Sequence, residues 1–70
     1  MFKFAEIAFP TAVRKTFTYD IPHSAQTDVE VGMRVWVPFR SHFAIGVVVK
    51  LHNEIPDFKT KGIREVLDDS

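Results

Sequence analysis

Three histidines are the side chains of this sequence best suited to metal binding or proton transfer. His42 lies 19 residues after His23 and ten residues before His52, a spacing that fits none of the compact ligand patterns of metal sites. Ser41 directly precedes His42, but adjacent side chains on an extended chain point to opposite faces, so they do not form a nucleophile with its base. The spacing predicts no metal site and makes an enzyme the least favoured function.

The glycines and the absence of cysteine exclude further kinds of chemistry. Gly32, Gly46 and Gly62 are isolated, so there is no glycine-rich loop for the phosphates of ATP or a dinucleotide. Without cysteine the chain forms neither a disulfide nor a thiolate metal site, which fits a reducing cytoplasm. No apolar run has the length of a signal-peptide core or a membrane helix. We expect a cytoplasmic protein with no cofactor in this domain and no membrane partner.

The stretch RKTFTYDIP, residues 14–22, combines basic and aromatic side chains. Phe17 and Tyr19 share one face of a period-two strand, directly after Arg14 and Lys15. Two interpretations are open for this aromatic pair. Both side chains fill the core, or one of them walls a pocket in which a nucleic-acid base stacks while the basic doublet attracts phosphate.

Trp36 allows a similar choice, because it shares one face of the next strand with Arg34 and Arg40. It stacks on a base or packs against a neighbouring domain of a longer protein. Nine Lys and Arg balance nine Asp and Glu, so a protein that coats nucleic acid is disfavoured. No acidic residue lies between Val31 and Asn53, however, which allows a local basic patch.

The elements that position these residues are predicted to be β-strands. Short runs rich in Phe, Val, Ile, Thr and Tyr recur at about ten-residue intervals between proline, glycine and polar clusters. Seven phenylalanines and 46% hydrophobic residues can build a small core for 70 residues. We expect one all-β domain over residues 1–70, a small β-barrel of OB-like or SH3-like type with about five short strands.

Several local features follow from the pattern. Alternation over residues 33–39 predicts one buried and one basic face, and Pro38 predicts a sheet edge or a bulge. The apolar run FAIGVVVKL, residues 43–51, predicts a central strand covered on both sides, in which Gly46 marks a bulge or the close approach of another backbone. The closing segment KGIREVLDD, residues 61–69, suits a short helix or a strand, and we favour a strand.

Four segments, KTFTYDIP, VGMRVWVPF, IGVVVKLH and KGIREVLDD, together resemble a known family in order and spacing across nearly the whole chain. They are similar to the N-terminal 3′ DNA-end-binding domain of the bacterial primosomal replication-restart helicase PriA (primosomal protein N′). The resemblance implies a non-catalytic module that recognises the 3′ end of the nascent leading strand at stalled replication forks. The implied partners are DNA, forked or with a single-stranded 3′ end, and the remaining domains of an ATP-dependent 3′–5′ helicase.

The resemblance also implies site residues. In the family the terminal nucleotide lies in a pocket whose motif positions are occupied here by Phe17, Thr18, Arg40 and Lys61. Thr18 stands where an Asp is often found, so a hydroxyl that donates or accepts replaces a carboxylate that only accepts. Arg40 stands where Gly is usual, and we expect its backbone N–H to face the nucleotide provided that φ is negative. Asp20, on the strand face of Thr18, is a candidate for a displaced carboxylate.

Accessory DNA contacts are expected from Arg14, Lys15, Asp20, Arg34 and Trp36. A protein that reads a terminus contacts few phosphates, so zero net charge is compatible with this function. The alternative function is a small β-barrel that docks a protein partner or a sister domain, with Trp36, Phe39 and Phe43 as anchors.

Overall fold

The computed structural model describes residues 1–10 and 15–68, and these residues form one six-stranded β-sheet. The strands are β1 (Phe4–Ala8), β2 (Thr16–Asp20), β3 (Arg34–Phe39), β4 (His42–His52), β5 (Lys61–Gly62) and β6 (Glu65–Val66). A short 3₁₀ turn, His23–Ala25, follows β2, and the described ranges contain no α-helix. The all-β prediction is therefore confirmed. Among the described residues, no helix has the length and apolar character needed to cross a membrane.

The sheet curls because the strands at its two opposite edges, β5 and β6, are adjacent in sequence. The strand order is β5-β2-β1-β4-β3-β6, and neighbours are antiparallel except for β2 with β5. The edge strands β5 and β6 are separated along the chain only by Ile63 and Arg64, whose backbone N–H groups donate to Asp20 on β2 (3.0 Å) and to Trp36 on β3 (2.8 Å). Since two residues span about 7 Å, the opposite edges must approach each other. The half-barrel that results agrees with the predicted small β-barrel.

The closing segment contains the two short strands β5 and β6 and no helix over residues 61–68, so the favoured strand prediction is confirmed. It accounts for the sixth strand, because it pairs first with β2 and then crosses to β3 instead of forming one continuous strand. Ile63, at the crossing point, is 4% exposed and belongs to the core. The burial of this side chain and the backbone hydrogen bonds of residues 63 and 64 hold the segment against both β2 and β3.

Alternation along β2 and β3 places apolar side chains on the concave face. Tyr19 is buried whereas its neighbours Thr18 and Asp20 are not, and Val35 and Val37 are fully buried. The predicted buried face of residues 33–39 is thus confirmed. Pro38 lies beyond the two β3 residues that pair with β6, which fits its predicted position at an open edge.

The prediction for residues 43–51 is half right. Their strand, β4, is central, with β1 on one side and β3 on the other. It is not covered on both sides, because Phe43, Ile45 and Val49 are 46%, 44% and 44% exposed. The curled sheet covers its own concave face, and the described residues form no second sheet over the convex face. The continuous apolar run of β4 therefore has one buried face and one exposed apolar face.

Gly46 marks a close approach of another strand rather than a bulge. A Cβ at this position would overlap the side chain of Ile7 and would lie 3.1 Å from both the Ala8 carbonyl oxygen and the Phe9 ring. The bulge is nearby, where the pairing of β1 with β4 shifts between Glu6 and Ile7 and leaves Val49 without a cross-strand partner on β1.

Candidate nucleic-acid interface

An open cavity of about 550 Å³ lies where β2, the β3–β4 hairpin and the segment that leads into β5 meet. We call it the end pocket. Its lining residues are Lys15, Thr16, Phe17, Thr18, Tyr19, Pro38, Phe39, Arg40, Phe58, Lys59, Thr60 and Lys61. The structure therefore brings together all four residues to which the resemblance assigns the terminal nucleotide: Phe17, Thr18, Arg40 and Lys61. Their contact with DNA stays a prediction.

Aromatic side chains form the back wall of the end pocket. Phe17 packs edge-on against Phe9 and Phe39, at ring-centroid distances of 5.5 and 5.2 Å. Tyr19 is buried, and its hydroxyl donates to the carbonyl oxygen of Pro38 at 2.6 Å. Burial raises the pKa of Tyr19, which keeps this donor protonated. Both rings line the pocket, but Tyr19 belongs to the core, whereas the half-buried Phe17 packs against it.

Four basic side chains line the end pocket: Lys15, Arg40, Lys59 and Lys61. No Asp or Glu is among the described lining residues, and none of the four cations forms a salt bridge within residues 1–10 and 15–68. Lys15 Nζ lies 5.4 Å from the centroid of the Phe17 ring, and the guanidinium carbon of Arg40 lies 5.4 Å from that of Phe39. Positive charge beside aromatic faces suits a phosphate and its stacked base.

Arg40 is the first residue of the two-residue turn between β3 and β4. Phe39 pairs with His42 across this hairpin, and Arg40 has a φ of 59°. This left-handed conformation favours glycine and costs other residues about 1–2 kcal/mol. The expectation that Arg40 offers its backbone N–H required a negative φ, so that premise is wrong. The guanidinium is exposed and remains available for a contact with phosphate.

Thr18 lines the end pocket and also a second cavity. Its hydroxyl donates to Oε2 of Glu6, its partner on β1, at 2.7 Å. Asp20, the candidate for a displaced carboxylate, does not line the end pocket and accepts a hydrogen bond from Thr60 Oγ1 at 2.9 Å. The carboxylate that contacts Thr18 is thus that of Glu6, which sequence reasoning missed because cross-strand partners depend on register.

The second cavity, of about 410 Å³, is the side cleft, lined by Glu6, Thr16, Thr18, Lys50, His52, Glu54, Ile55 and Pro56. Glu6 also accepts hydrogen bonds from Thr16 Oγ1 (3.1 Å, to Oε1) and His52 Nε2 (2.8 Å, to Oε2). The backbone N–H of Glu54 donates to His52 Nδ1 (3.1 Å), so the ring proton of His52 is on Nε2. Burial alone would raise the pKa of Glu6, but the bonds from both threonines and His52 outweigh it and lower the pKa.

Arg34 and Trp36, two of the expected accessory contacts, lie on the convex side of β3, away from the end pocket. Arg34 Nε and Nη2 donate to Asp68 Oδ1 at 2.9 and 2.7 Å, so its charge is already compensated. Trp36 stacks on Phe43 with a centroid distance of 5.7 Å and pairs with Ile45 across the strands. We call Trp36, Phe43 and Ile45 the outer apolar face.

The remaining assignments divide between these surfaces. Lys15 lines the end pocket, as an accessory contact should, and Arg14 lies outside the described residues. Phe39, grouped with Trp36 and Phe43 as a docking anchor, is instead part of the aromatic back wall. The three anchors therefore do not share one surface, because Phe39 is on the concave side of β3 and Trp36 on the convex side.

Phe58, Lys59 and Thr60 line the end pocket, although the sequence analysis assigned no site residue to their segment. They lie between β4 and β5, where Phe58 is 57% exposed and lines this basic cavity. The signal was present in the order Phe-Lys-Thr-Lys at residues 58–61, which interleaves aromatic and basic side chains as residues 14–22 do.

Comparison with known protein families yields a match to the 3′ DNA-binding domain (3′BD) of PriA over residues 6–70. No curated protein matches the chain. Since the family match spans nearly the whole sequence, the chain belongs to the PriA 3′ DNA-binding domain family and is a DNA-binding domain, as the resemblance implied.

Proposed function

We propose that this domain binds the free 3′ end of a DNA strand in the end pocket. One observation carries the proposal. The cavity that contains all four family positions also gathers four basic and four aromatic side chains, with no carboxylate among its described lining residues. A strand terminus offers a base to stack, one or two phosphates and a hydroxyl, and this lining complements each of them.

The lining residues divide these tasks by chemistry. Phe17 offers an aromatic surface whose position is maintained by its contacts with Phe9 and Phe39. Lys61 contacts the terminal phosphodiester, and Arg40 adds a charge-assisted contact farther along the strand. Thr18 supplies the polar atom that reads the hydroxyl.

The exposed segment before β5 adds two groups to this site. Phe58 offers a second stacking surface, and stacking on an aromatic side chain contributes about 1–3 kcal/mol per base. Lys59 adds a cation beside Lys61. Because four cations suffice for the few phosphates of an end, zero net charge does not oppose binding.

Fluorescence anisotropy with three labelled single strands tests the proposal. One oligonucleotide carries a 3′-hydroxyl, the second has the same sequence with a 3′-phosphate, and the third is circular. We expect the hydroxyl end to bind several-fold more tightly than the phosphate end and the circle to bind most weakly. Equal affinity for all three would sink the assignment of end recognition while leaving DNA binding intact.

In the cell, the proposed ligand is the 3′ end of the nascent leading strand at a stalled replication fork. The domain acts there as the non-catalytic reader of a larger cytoplasmic ATP-dependent 3′–5′ helicase of replication restart. Membership of the PriA 3′ DNA-binding domain family supports this context. In the test, forks that present a 3′ end at the junction should bind more tightly than forks with a gap there.

Docking of a protein partner or sister domain is the second candidate function, and the outer apolar face favours it. Phe43 and Ile45 are 46% and 44% exposed beside the stacked Trp36, an arrangement typical of interface anchors. This face lies on the opposite side of β3 from the end pocket, so both functions are compatible. Trp36 fluorescence in the full helicase and in the isolated domain distinguishes them: docking requires a blue shift in the full protein, and identical spectra exclude it.

A further inference from the structure

The direction of one hydrogen bond determines what Thr18 can offer to a ligand. A threonine hydroxyl has one proton and two lone pairs, and it can donate as well as accept. Here the proton is directed to Glu6 Oε2 at 2.7 Å, since an ionised carboxylate has no proton to give in return. Glu6 is not part of the end pocket, but Thr18 lines both the end pocket and the side cleft.

We infer that Glu6 is a positioning residue that makes Thr18 an acceptor toward the end pocket, and thereby selects a 3′-hydroxyl over a 3′-phosphate. This inference rests on the proposed function. A terminal hydroxyl can donate its proton to the lone pairs of Thr18 Oγ1. An oxygen of an ionised phosphate only accepts, so no proton lies between it and Thr18 Oγ1. A polar contact left without a hydrogen bond in a half-buried site lowers the affinity.

The surroundings of Glu6 keep this polarity constant. Thr16 and His52 also donate to the carboxylate, at 3.1 and 2.8 Å, so three donors converge on its two oxygens. His52 Nδ1 accepts the backbone N–H of Glu54, which directs the Nε2 proton at Glu6. The lowered pKa of Glu6 is consistent with a carboxylate that stays ionised at neutral pH. Lys50 and Glu54, the other charged residues of the side cleft, form no salt bridge with it in the described chain.

Two substitutions of Glu6 separate hydrogen-bond direction from charge. Glu6→Met keeps the length of the side chain but removes its acceptors, so the Thr18 proton becomes available to a phosphate. Glu6→Gln removes the charge but keeps one carbonyl oxygen that can accept from Thr18. The measured quantity is the ratio of dissociation constants for oligonucleotides ending in 3′-phosphate and 3′-hydroxyl.

We expect a ratio of about ten for the natural domain, reduced to about two in Glu6→Met because the phosphate end binds more tightly. Glu6→Gln should retain most of the ratio. Thr18→Val should lose the ratio and Thr18→Ser should preserve it. Glu54→Met is the matched control, since it makes the same change at the other carboxylate of the side cleft, which neither bonds Thr18 nor lines the end pocket, and it should leave the ratio unchanged.

The outcomes distinguish this inference from the function on which it depends. If the natural domain shows no preference for the hydroxyl, the proposed function fails and the inference fails with it. If the natural domain discriminates and Glu6→Met discriminates equally, the function stands and the role of Glu6 is overturned. If Glu6→Met weakens both ends by one factor, with its fold intact by circular dichroism, Glu6 has only a structural role and the inference is again wrong.

Discussion

The end pocket and the convex side of β3, where Arg34 lies beside the outer apolar face, contain the same kinds of residue but use them differently. In both, aromatic side chains lie next to arginine or lysine. In the end pocket the cations have no acidic partner among the described residues, and the aromatic rings rest on the core. On the convex side Arg34 is compensated by Asp68, and Trp36 stacks on the exposed Phe43. The two surfaces therefore differ in charge compensation, which supports the phosphate contacts proposed for the end pocket and the docking proposed for the outer apolar face.

Gly46→Ala should produce the largest loss of stability among these variants, and it should disturb the end pocket rather than the outer apolar face. The added methyl overlaps Ile7 and presses on Phe9, which supports Phe17 from behind. We expect a loss of about 2–3 kcal/mol in the free energy of unfolding, measured with urea, and weaker DNA binding. Gly32→Ala is a comparison on the surface, where the cost comes from its φ of 96° and not from contacts. Full stability in Gly46→Ala would contradict the tight approach of β1 to β4.

Lys61→Glu should weaken binding of the 3′-hydroxyl oligonucleotide about thirtyfold, which is about 2 kcal/mol, because an attractive contact becomes repulsive. Lys3→Glu makes the same change in net charge on an exposed residue outside the pocket and should alter affinity much less. For the milder Lys61→Ala, the slope of log affinity against log salt should fall by about 0.7. A lower affinity with an unchanged slope would identify Lys61 as structural.

Removing the Arg40 side chain should weaken the binding of all single-stranded ends alike, by up to about tenfold, or 1.4 kcal/mol. Arg40→Ala and Arg40→Gly both remove the guanidinium and should share this loss, while the preference for a 3′-hydroxyl survives. Only Arg40→Gly relieves the left-handed backbone, so it alone should be more stable, by up to about 1 kcal/mol in urea unfolding. Tighter binding by Arg40→Gly than by the natural domain would instead make the side chain an obstruction.

Acid should reveal a smaller difference, between the Glu6 carboxylate of the side cleft and the Asp68 carboxylate of the convex side. The folded-state pKa of Glu6 lies below its ordinary value of 4.5, so its contribution to stability is present above that pH and is lost as pH falls through the lower, folded-state pKa. Arg34 also lowers the pKa of Asp68, but this pair is exposed and screened by solvent. Urea midpoints from pH 7 to pH 3 should therefore become less pH-dependent in Glu6→Gln than in Asp68→Asn. The reverse order would assign the acid sensitivity to the convex side.

The smallest effect on DNA binding is expected from the outer apolar face. The double variant Trp36→Ser and Phe43→Ser should bind the 3′-hydroxyl oligonucleotide within about twofold of the natural domain, because neither residue lines the end pocket. The same variant should lose any association with the remaining domains of the proposed helicase, measured by analytical ultracentrifugation of mixed fragments. A large loss of DNA affinity, with the fold intact, would show that the strand continues across this face.

Fold class could be predicted from the sequence because strand alternation is local. Residues 33–37 alternate between buried and more exposed side chains, and the apolar faces of β2 and β3 followed from period two alone. The closing segment was harder, since it forms two strands of two residues each, too short for a periodic signal. The exposure of β4 could not be predicted, because an apolar run does not reveal whether a second layer covers it.

The candidate site was predictable only where a motif contained it. Phe17, Thr18, Arg40 and Lys61 followed from the family resemblance, and residues 14–22 showed by themselves that aromatic and basic groups occur together. The sequence therefore determined which chemical groups are available and on which strand face each one lies.

Tertiary structure alone decided which of these groups meet. It placed Arg34 against Asp68, 34 residues away, and left the basic residues of the end pocket without such a partner among the described residues. It also put Glu6 behind Thr18 through the register of β1 with β2, and it gave Arg40 a left-handed turn. Register and curling depend on contacts between distant strands, and a shift of one residue would direct each side chain to the other face.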